Sequence, residues 1–208
     1  MTSYAAHYTP PPDTTTTSAG REAVLQDGWP VLRPLAMLLP AITDARVKAV
    51  FEHWLAMRGR NIMPAWRDID ALQISQQLPY MWSLRYDRAD NSFTGRLSGE
   101  EINAIFGKSL RQTRIENFFA KQDVPWIHER CLRVINKPCI ALVTGPVYAY
   151  TGHYGSGYRI MLPLGENYGS EHQAQGDEVI GVTSYTLNPP GPDVASFQPV
   201  EQVTYFHL

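Results

Sequence analysis

Residues 43–59 carry apolar side chains at the spacing of one helical face. These side chains are Val47, Val50, Phe51, Trp54 and Leu55. Thr43 is placed to cap the helix and Gly59 to end it, so one amphipathic helix is predicted here. Asp68 is then expected to begin a second, shorter helical piece, which Pro79 limits.

A hairpin is predicted after Pro79. Residues 80–86 alternate between large apolar side chains and smaller or polar ones, which is typical of a strand. Residues 87–91 are rich in Asp and Asn and predict the turn, and residues 93–97 predict the returning strand. Strict alternation puts Phe93, Gly95 and Leu97 on one face of that strand and Thr94 and Arg96 on the other.

The hairpin leads directly into a predicted short helix. Ser98 stands three residues before Glu101, which is the spacing of a capping box. Gly107 can end this helix in the left-handed conformation. The apolar side of the helix consists of Ile102, Ile105 and Phe106.

The remaining segments predict two helices and three strands. Residues 115–119 suit a short helix, and a longer helix begins at Asp123 and ends before Pro138. The strands are predicted at residues 139–144, 158–164 and 179–187. Together with the hairpin these segments predict an α+β fold, with five antiparallel strands and helices gathered on one face of the sheet.

Composition divides the chain into four parts. Residues 1–20 contain three consecutive prolines and four consecutive threonines and are expected to be a disordered tail. Residues 21–77 are predicted to be an N-terminal helical extension. The five-stranded domain is predicted over residues 78–188, and residues 189–208 are a predicted C-terminal extension.

The overall composition is that of a soluble globular protein. Apolar residues make up 44% of the chain and charged residues 18%, with a net charge of −2, so no basic surface for nucleic acid is expected. No apolar run approaches about 18 residues, so no membrane span is predicted. The first residues lack the pattern of a secretory signal, and a cytoplasmic location is expected.

Several short motifs follow one another in a defined order. They are Trp54, Arg58-Gly59, Met63-Pro64, Asp68-Ile69-Asp70, Leu78-Pro79, Arg96-Leu97-Ser98-Gly99 and Phe106-Gly107. This order resembles the PAS_5 family, a PAS-like group found largely in alphaproteobacteria, over residues 43–120. The resemblance implies a PAS-like fold and a sensory or regulatory role. It implies no defined ligand, because the family has none that is general.

A ligand is expected in the space between the sheet and its helices. The apolar or amphipathic candidates are Trp82, Leu84, Phe106, Phe118, Trp126, Cys131, Ile160 and Tyr185. These residues either line a cavity or fill the core completely. Arg96 is the one charged candidate, because it could hold a ligand carboxylate or phosphate. Its alternative role is a salt bridge to an acid such as Asp68 or Asp70.

No catalytic residue, metal site or cofactor is predicted. His53, His128, His153 and His172 share no short metal-ligand spacing. Cys131 and Cys139 lack the sequence context of the flavin-binding cysteine in photochemical PAS domains. His128 lies on the helix that carries the ligand in haem PAS domains, but it stands at the edge of the apolar stripe. A surface position is therefore favoured over haem for His128.

These observations together predict a stand-alone PAS-type sensor that is not an enzyme. It would bind a small molecule or a protein partner and signal in trans. A homodimer is expected, with Phe51, Trp54 and Leu55 at its seam, unless these residues pack on their own sheet. The alternatives are a small α+β enzyme with an aromatic cavity and a ligand-free dimeric scaffold.

Overall fold

The computed structural model describes residues 31–148, 155–165, 175–187 and 201–208, so the tail predicted at residues 1–20 lies outside the described residues. The helices are α1 (Leu38–Ala41), α2 (Ala45–Arg58), α3 (Glu100–Phe106), α4 (Ile115–Phe118) and α5 (Val124–Asn136). The strands are β1 (Leu32–Arg33), β2 (Met81–Asp87), β3 (Ser92–Ser98), β4 (Cys139–Gly145), β5 (Gly155–Leu164), β6 (Glu178–Leu187) and β7 (Gln202–His207).

All of these strands form one sheet in the order β1-β7-β4-β5-β6-β2-β3. Every neighbouring pair is antiparallel except β1 and β7. The α+β class is confirmed, but the predicted number of five strands is wrong. Strand β7 comes from the segment assigned to a C-terminal extension, and it pairs with β4 from Cys139–His207 to Thr144–Gln202. This pairing satisfies the backbone groups that β4 would otherwise expose along an open edge.

Helices cover both faces of the sheet rather than one. Helices α3, α4 and α5 contribute to a core cluster on one side, which we call the cavity face, together with Trp82 and Met161. Helix α2 packs on the opposite side, the α2 face, against a second cluster that includes Ile160 and Leu162. Consecutive strand residues point to opposite faces, so both parities of the central strands are apolar and buried.

Helix α2 matches the predicted helix, with one change at its start. Asp44, not Thr43, is the cap, and its Oδ1 accepts hydrogen bonds from two backbone N–H groups of the first turn. Phe51 and Trp54 are buried on the α2 face, where Trp54 Nε1 donates to the carbonyl of Pro163 at 3.0 Å. These two side chains therefore pack on their own sheet and do not form an open dimer seam.

The second helical piece expected between Asp68 and Pro79 does not form as a helix. Short 3-10 turns occupy Trp66–Asp68 and Leu78–Tyr80, with turns between them. Asp68 lies in the first of these turns, and its Oδ2 accepts from the backbone N–H of Ala65. Asp68 is therefore the last residue of a 3-10 turn that begins at Trp66, and it does not cap a helix that follows it.

A β-bulge interrupts the alternation predicted for β3. Ser83 pairs with Leu97 but Leu84 pairs with Gly95, so Arg96 is the extra residue. Leu97 consequently packs on the α2 face, while Gly95 lies against Leu110 on the cavity face. The prediction that Gly95 and Leu97 share a face is wrong, because one inserted residue shifts the side-chain period by one.

The capping box predicted for α3 is also absent. The cap position is Gly99, where a Cβ atom would overlap the carbonyl oxygens of Leu78 and Pro79. Ser98 instead donates to the side chain of Asn103 and accepts from a backbone N–H in the following loop. The predicted end of the helix is confirmed, since Gly107 has a left-handed conformation with φ of 64°.

Candidate functional site

A small cavity lies on the cavity face, between the sheet and helices α3, α4 and α5. The space open to the centre of a water molecule is about 50 Å³. Such a volume has room for roughly three to five waters. Among the predicted site residues, those that line it are Trp82, Leu84, Phe106, Phe118, Trp126 and Cys131. Contact of these residues with a ligand remains a prediction.

Ile160 and Tyr185 are predicted site residues that do not line the cavity. Ile160 points to the α2 face, and its neighbour Met161 occupies the cavity wall instead. Tyr185 lies beside the cavity, where its hydroxyl donates to Glu101 Oε2 at 2.9 Å. Its ring also stacks edge-on against Tyr148, which is a lining residue.

Arg96, the charged candidate, lies on the α2 face and away from the cavity. Its guanidinium contacts Glu178 Oε2 at 3.0 Å and lies 4.0 Å from the centre of the Trp66 ring. The salt-bridge alternative therefore describes its geometry, but the partner is Glu178 rather than Asp68 or Asp70. The bulge explains the placement, because it sets Arg96 outside the regular pairing of β3.

Aromatic rings form the helical wall of the cavity. The rings of Phe106 and Phe118 lie 4.5 Å apart and are tilted by 48°. Tyr148 meets Phe106 edge-on at 5.9 Å. Edge-on and tilted contacts of this kind stabilise the relative positions of the rings beyond their burial alone. The wall is therefore a connected aromatic cluster rather than a set of independent side chains.

A chain of hydrogen bonds runs along the sheet side of the cavity. Thr183 Oγ1 accepts from Trp82 Nε1 at 3.0 Å and from Arg159 Nε at 3.1 Å. Arg159 Nη2 also donates to the carbonyl of Val147. These bonds hold both the indole and the guanidinium in fixed orientations within an otherwise apolar wall.

Two buried arginines share one carboxylate at the edge of the cavity. Arg130 Nη1 lies 2.9 Å from Glu201 Oε2, and Arg159 Nη1 lies 3.7 Å from Glu201 Oε1. Only 10% of the Arg130 side chain and 9% of the Arg159 side chain are exposed. Each guanidinium also faces a lining aromatic ring, Trp126 for Arg130 and Tyr148 for Arg159.

Sequence reasoning did not select either arginine, although the patterns contained a signal. Arg130 stands three residues after Ile127 and four before Val134, so it falls on the buried stripe of α5. Arg159 has the same parity as Met161 in β5 and thus faces the cavity. In both cases an arginine occupies a position where the helix or strand pattern places a buried apolar side chain, and this indicates a buried polar site.

The two thiols are in buried, apolar surroundings. Burial raises the pKa of Cys131 to about 12, although the charges of Arg130 and Arg159 partly oppose that shift. Burial likewise raises the pKa of Cys139 to about 12. Both thiols are therefore protonated near neutral pH and are poor nucleophiles.

His128 lies outside the cavity lining, with Nε2 2.9 Å from the carbonyl oxygen of Asn91 and its ring edge-on to Phe93. Within the described residues, no three His, Cys, Asp or Glu side chains are grouped to hold a metal ion. His153 and His172 lie outside those residues. No helix in the described ranges is long and apolar enough to cross a membrane.

One family model matches this chain. The PAS_5 family, described as a PAS domain, matches residues 42–178, which is more than half of the sequence. No curated protein and no solved structure matches the chain. The matched range begins just before α2 and ends at the first residue of β6, so it includes most of the cavity wall. The chain therefore belongs to the PAS_5 family of PAS domains.

Proposed function

We propose that this PAS domain is a sensory or regulatory module whose cavity binds a small organic molecule. The observation that carries the proposal is the cavity itself, which three helices and the sheet enclose with aromatic side chains. A ligand there would contact α3, α4 and α5 together. Its binding would favour one arrangement of these helices on the sheet, and this is how occupancy can become a signal.

The size of the cavity points to a small ligand. Its open space of about 50 Å³ is well below the roughly 300–1,000 Å³ of sites that hold drug-sized molecules. A molecule of a few non-hydrogen atoms fits without rearrangement. A larger one requires Phe118, Phe119 or Trp126 to move outward, since these residues form the helical wall.

The lining supports binding rather than catalysis. It includes arginine, threonine, tyrosine and cysteine, but its described members include no histidine, aspartate or glutamate. General acid–base catalysis near neutral pH uses such groups most often, and the raised pKa of Cys131 disfavours a thiolate nucleophile. We therefore propose that the protein is not an enzyme.

A protein partner is the second element of the proposal. Signalling in trans, a homodimer and a cytoplasmic location remain predictions. Apolar side chains exposed near α1 and α2 support a contact surface there, with Leu55 39% and Leu72 85% exposed. A second copy of the chain or another protein could cover this surface, and scattering of the purified protein at several concentrations would distinguish monomer from dimer.

Native mass spectrometry of freshly purified protein tests ligand binding. A co-purified molecule should appear as a mass difference that denaturation removes. The Cys131→Leu variant, which fills the cavity, should lose that mass. The control is Cys139→Val, which alters the other buried thiol. Cys139 does not line the cavity, so this variant should retain the bound mass. A folded wild-type protein without any bound mass, together with no stabilisation by small organic molecules, would instead support a ligand-free scaffold.

A further inference from the structure

Thr183 is a buried polar residue in the lining of the cavity, with an exposed fraction of 0%. Trp82 Nε1 donates to its Oγ1 at 3.0 Å, and Arg159 Nε donates to the same oxygen at 3.1 Å. Both of these donors also line the cavity. The hydroxyl oxygen therefore lies where an indole, a guanidinium and the open space meet.

The hydroxyl of Thr183 has one hydrogen-bonding function left. A threonine hydroxyl has two acceptor lone pairs and one O–H donor. The indole and the guanidinium occupy both lone pairs, so the O–H group can act only as a donor. Among the described residues, no acceptor forms a hydrogen bond with that O–H group. A buried donor without an acceptor costs free energy, which an acceptor inside the cavity would recover.

The other polar groups of the lining are mainly donors as well. Guanidinium and indole groups donate hydrogen bonds and do not accept them. In the lining these groups belong to Trp82, Trp126, Arg130 and Arg159. The hydroxyl of Tyr148 can donate or accept, but the described lining contains no carboxylate, amide or imidazole side chain. The cavity therefore favours a ligand that accepts hydrogen bonds and brings few protons of its own.

A neutral acceptor suits this cavity better than an anion, a water molecule or an alcohol. Burying an anion requires close cations or several donors, and both lining arginines already contact Glu201. Water and alcohols bring O–H groups that need acceptors in return. A carbonyl oxygen is a strong acceptor without a proton, and the rest of a short ketone or aldehyde is apolar, like most of the wall.

We propose that the cavity binds a small neutral carbonyl compound, such as a short ketone or aldehyde, whose oxygen accepts a hydrogen bond from Thr183 Oγ1. The apolar part of the ligand lies among Phe106, Phe118 and Met161, which line the same cavity. The open space of about 50 Å³ limits the ligand to a few non-hydrogen atoms. This inference rests on the proposed function of the cavity as a ligand site.

Binding of a carbonyl oxygen should be visible at Trp82. When Thr183 donates through its O–H group, its oxygen becomes a stronger acceptor, because hydrogen bonds in a chain polarise one another. The bond from Trp82 Nε1–H to that oxygen is therefore strengthened. A stronger hydrogen bond moves the NMR resonance of its proton downfield. The sign of this shift separates hydrogen bonding by the ligand from mere filling of the cavity.

Proton–nitrogen NMR spectra of the isotope-labelled protein test the inference, with acetone and isobutene as probes. Isobutene has the shape of acetone, with a methylene group in place of the carbonyl oxygen. Acetone should bind saturably in the millimolar range, since so few atoms provide little binding energy. It should move the Trp82 indole proton downfield, whereas isobutene should not. The Trp82→Phe variant assigns that signal, because one indole resonance is lost.

Variants of Thr183 locate the hydrogen bond. Thr183→Val removes the hydroxyl and should weaken acetone binding by about tenfold, while isobutene binding should not weaken. Thr183→Ser retains the hydroxyl and should bind acetone within about threefold of wild type. Thr186→Val is the matched control, because it makes the same change in the same strand at an exposed residue that does not line the cavity. If Thr183→Val does not fold, the opposite responses of wild-type Trp82 to acetone and isobutene decide the question.

The possible results separate this inference from the proposed function. Equal shifts of the Trp82 indole proton by acetone and isobutene would overturn the carbonyl inference while leaving a ligand cavity. Equal weakening of acetone binding by Thr183→Val and Thr186→Val would also overturn it. If folded wild-type protein shows no saturable response to acetone, the carbonyl inference is rejected. The co-purified mass then decides separately whether the cavity has a ligand.

Discussion

The indole ring of Trp82 lies directly against Gly181, its partner across strands β2 and β6. A Cβ atom at residue 181 would stand 2.5 Å from Cζ2 of that ring and 2.8 Å from the carbonyl oxygen of Ile160. The missing side chain allows the indole to cross β6 and to donate to Thr183, which also holds Arg159. One glycine thus determines the position of an aromatic wall residue and, through it, of a buried charge.

Gly181→Ala should therefore destabilise the protein by about 1–3 kcal/mol, because the added methyl group overpacks the interior. Urea unfolding measures the loss. In a Trp82→Phe background the penalty should shrink, since a smaller ring leaves more room, although the contact with the Ile160 carbonyl remains. An alanine variant as stable as wild type would show that the indole is not confined by this contact.

Local patterns are sufficient to place six of the eight apolar or amphipathic candidates on the cavity wall. Trp82, Phe106 and Cys131 lie on elements whose spacing identifies the buried side, and each lines the cavity. Ile160 was selected but does not line the cavity. Strand β5 has buried apolar side chains on both faces, so its pattern cannot show which residues face α3, α4 and α5. The correct residue is its neighbour Met161.

Other features depend on contacts between distant parts of the chain. The bulge at Arg96 arises from pairing with β2, and the sequence of β3 alone does not predict it. Strand β7 follows a proline-rich segment that ordinarily ends regular structure, and the residues that it pairs with in β4 lie about 60 positions earlier in the chain. Glu201 reaches the arginine pair for the same reason, so the polar end of the cavity could not be read from local sequence.

Neighbouring residues of β5 provide a test of the two faces. Met161→Ala and Ile160→Ala should each cost about 2–5 kcal/mol, because both remove buried apolar atoms. Only Met161→Ala enlarges the cavity, since Ile160 packs on the α2 face. Benzene should therefore recover stability in Met161→Ala by filling the new apolar space, and it should recover less in Ile160→Ala. Thermal unfolding with and without benzene measures the difference, and equal recovery would contradict the assigned faces.

Thiol labelling should report opening of the cavity wall. Cys131 and Cys139 are both buried, and burial raises the pKa of each to about 12. The native protein should react with a disulfide reagent far more slowly than the urea-unfolded chain at the same mildly alkaline pH. In the single-cysteine variants Cys139→Val and Cys131→Val, the rates give each site separately. Rapid labelling of native Cys131 would indicate that the helical wall opens readily.

Burial of Glu178, the partner of Arg96, should make stability depend on pH in an identifiable direction. Burial raises the pKa of Glu178, and Asp177 adds to this effect, while Ser83 and Arg96 partly oppose it. Between the ordinary value of the unfolded chain and the raised folded value, the folded protein binds more protons than the unfolded chain. The stability contributed by neutral Glu178 is thus full below the unfolded pKa and is lost as pH rises through the folded pKa.

Glu178→Gln keeps the shape of the neutral side chain and removes this titration. The free energy of unfolding of wild type, relative to that of Glu178→Gln, should therefore increase when the pH is lowered from about 8 to about 5. Urea unfolding at several pH values measures the difference. Glu116→Gln removes an exposed carboxylate and should follow wild type much more closely. If the difference between wild type and Glu178→Gln instead grew with rising pH, Arg96 would stabilise the charged carboxylate by more than burial penalises it, and the raised pKa would be wrong.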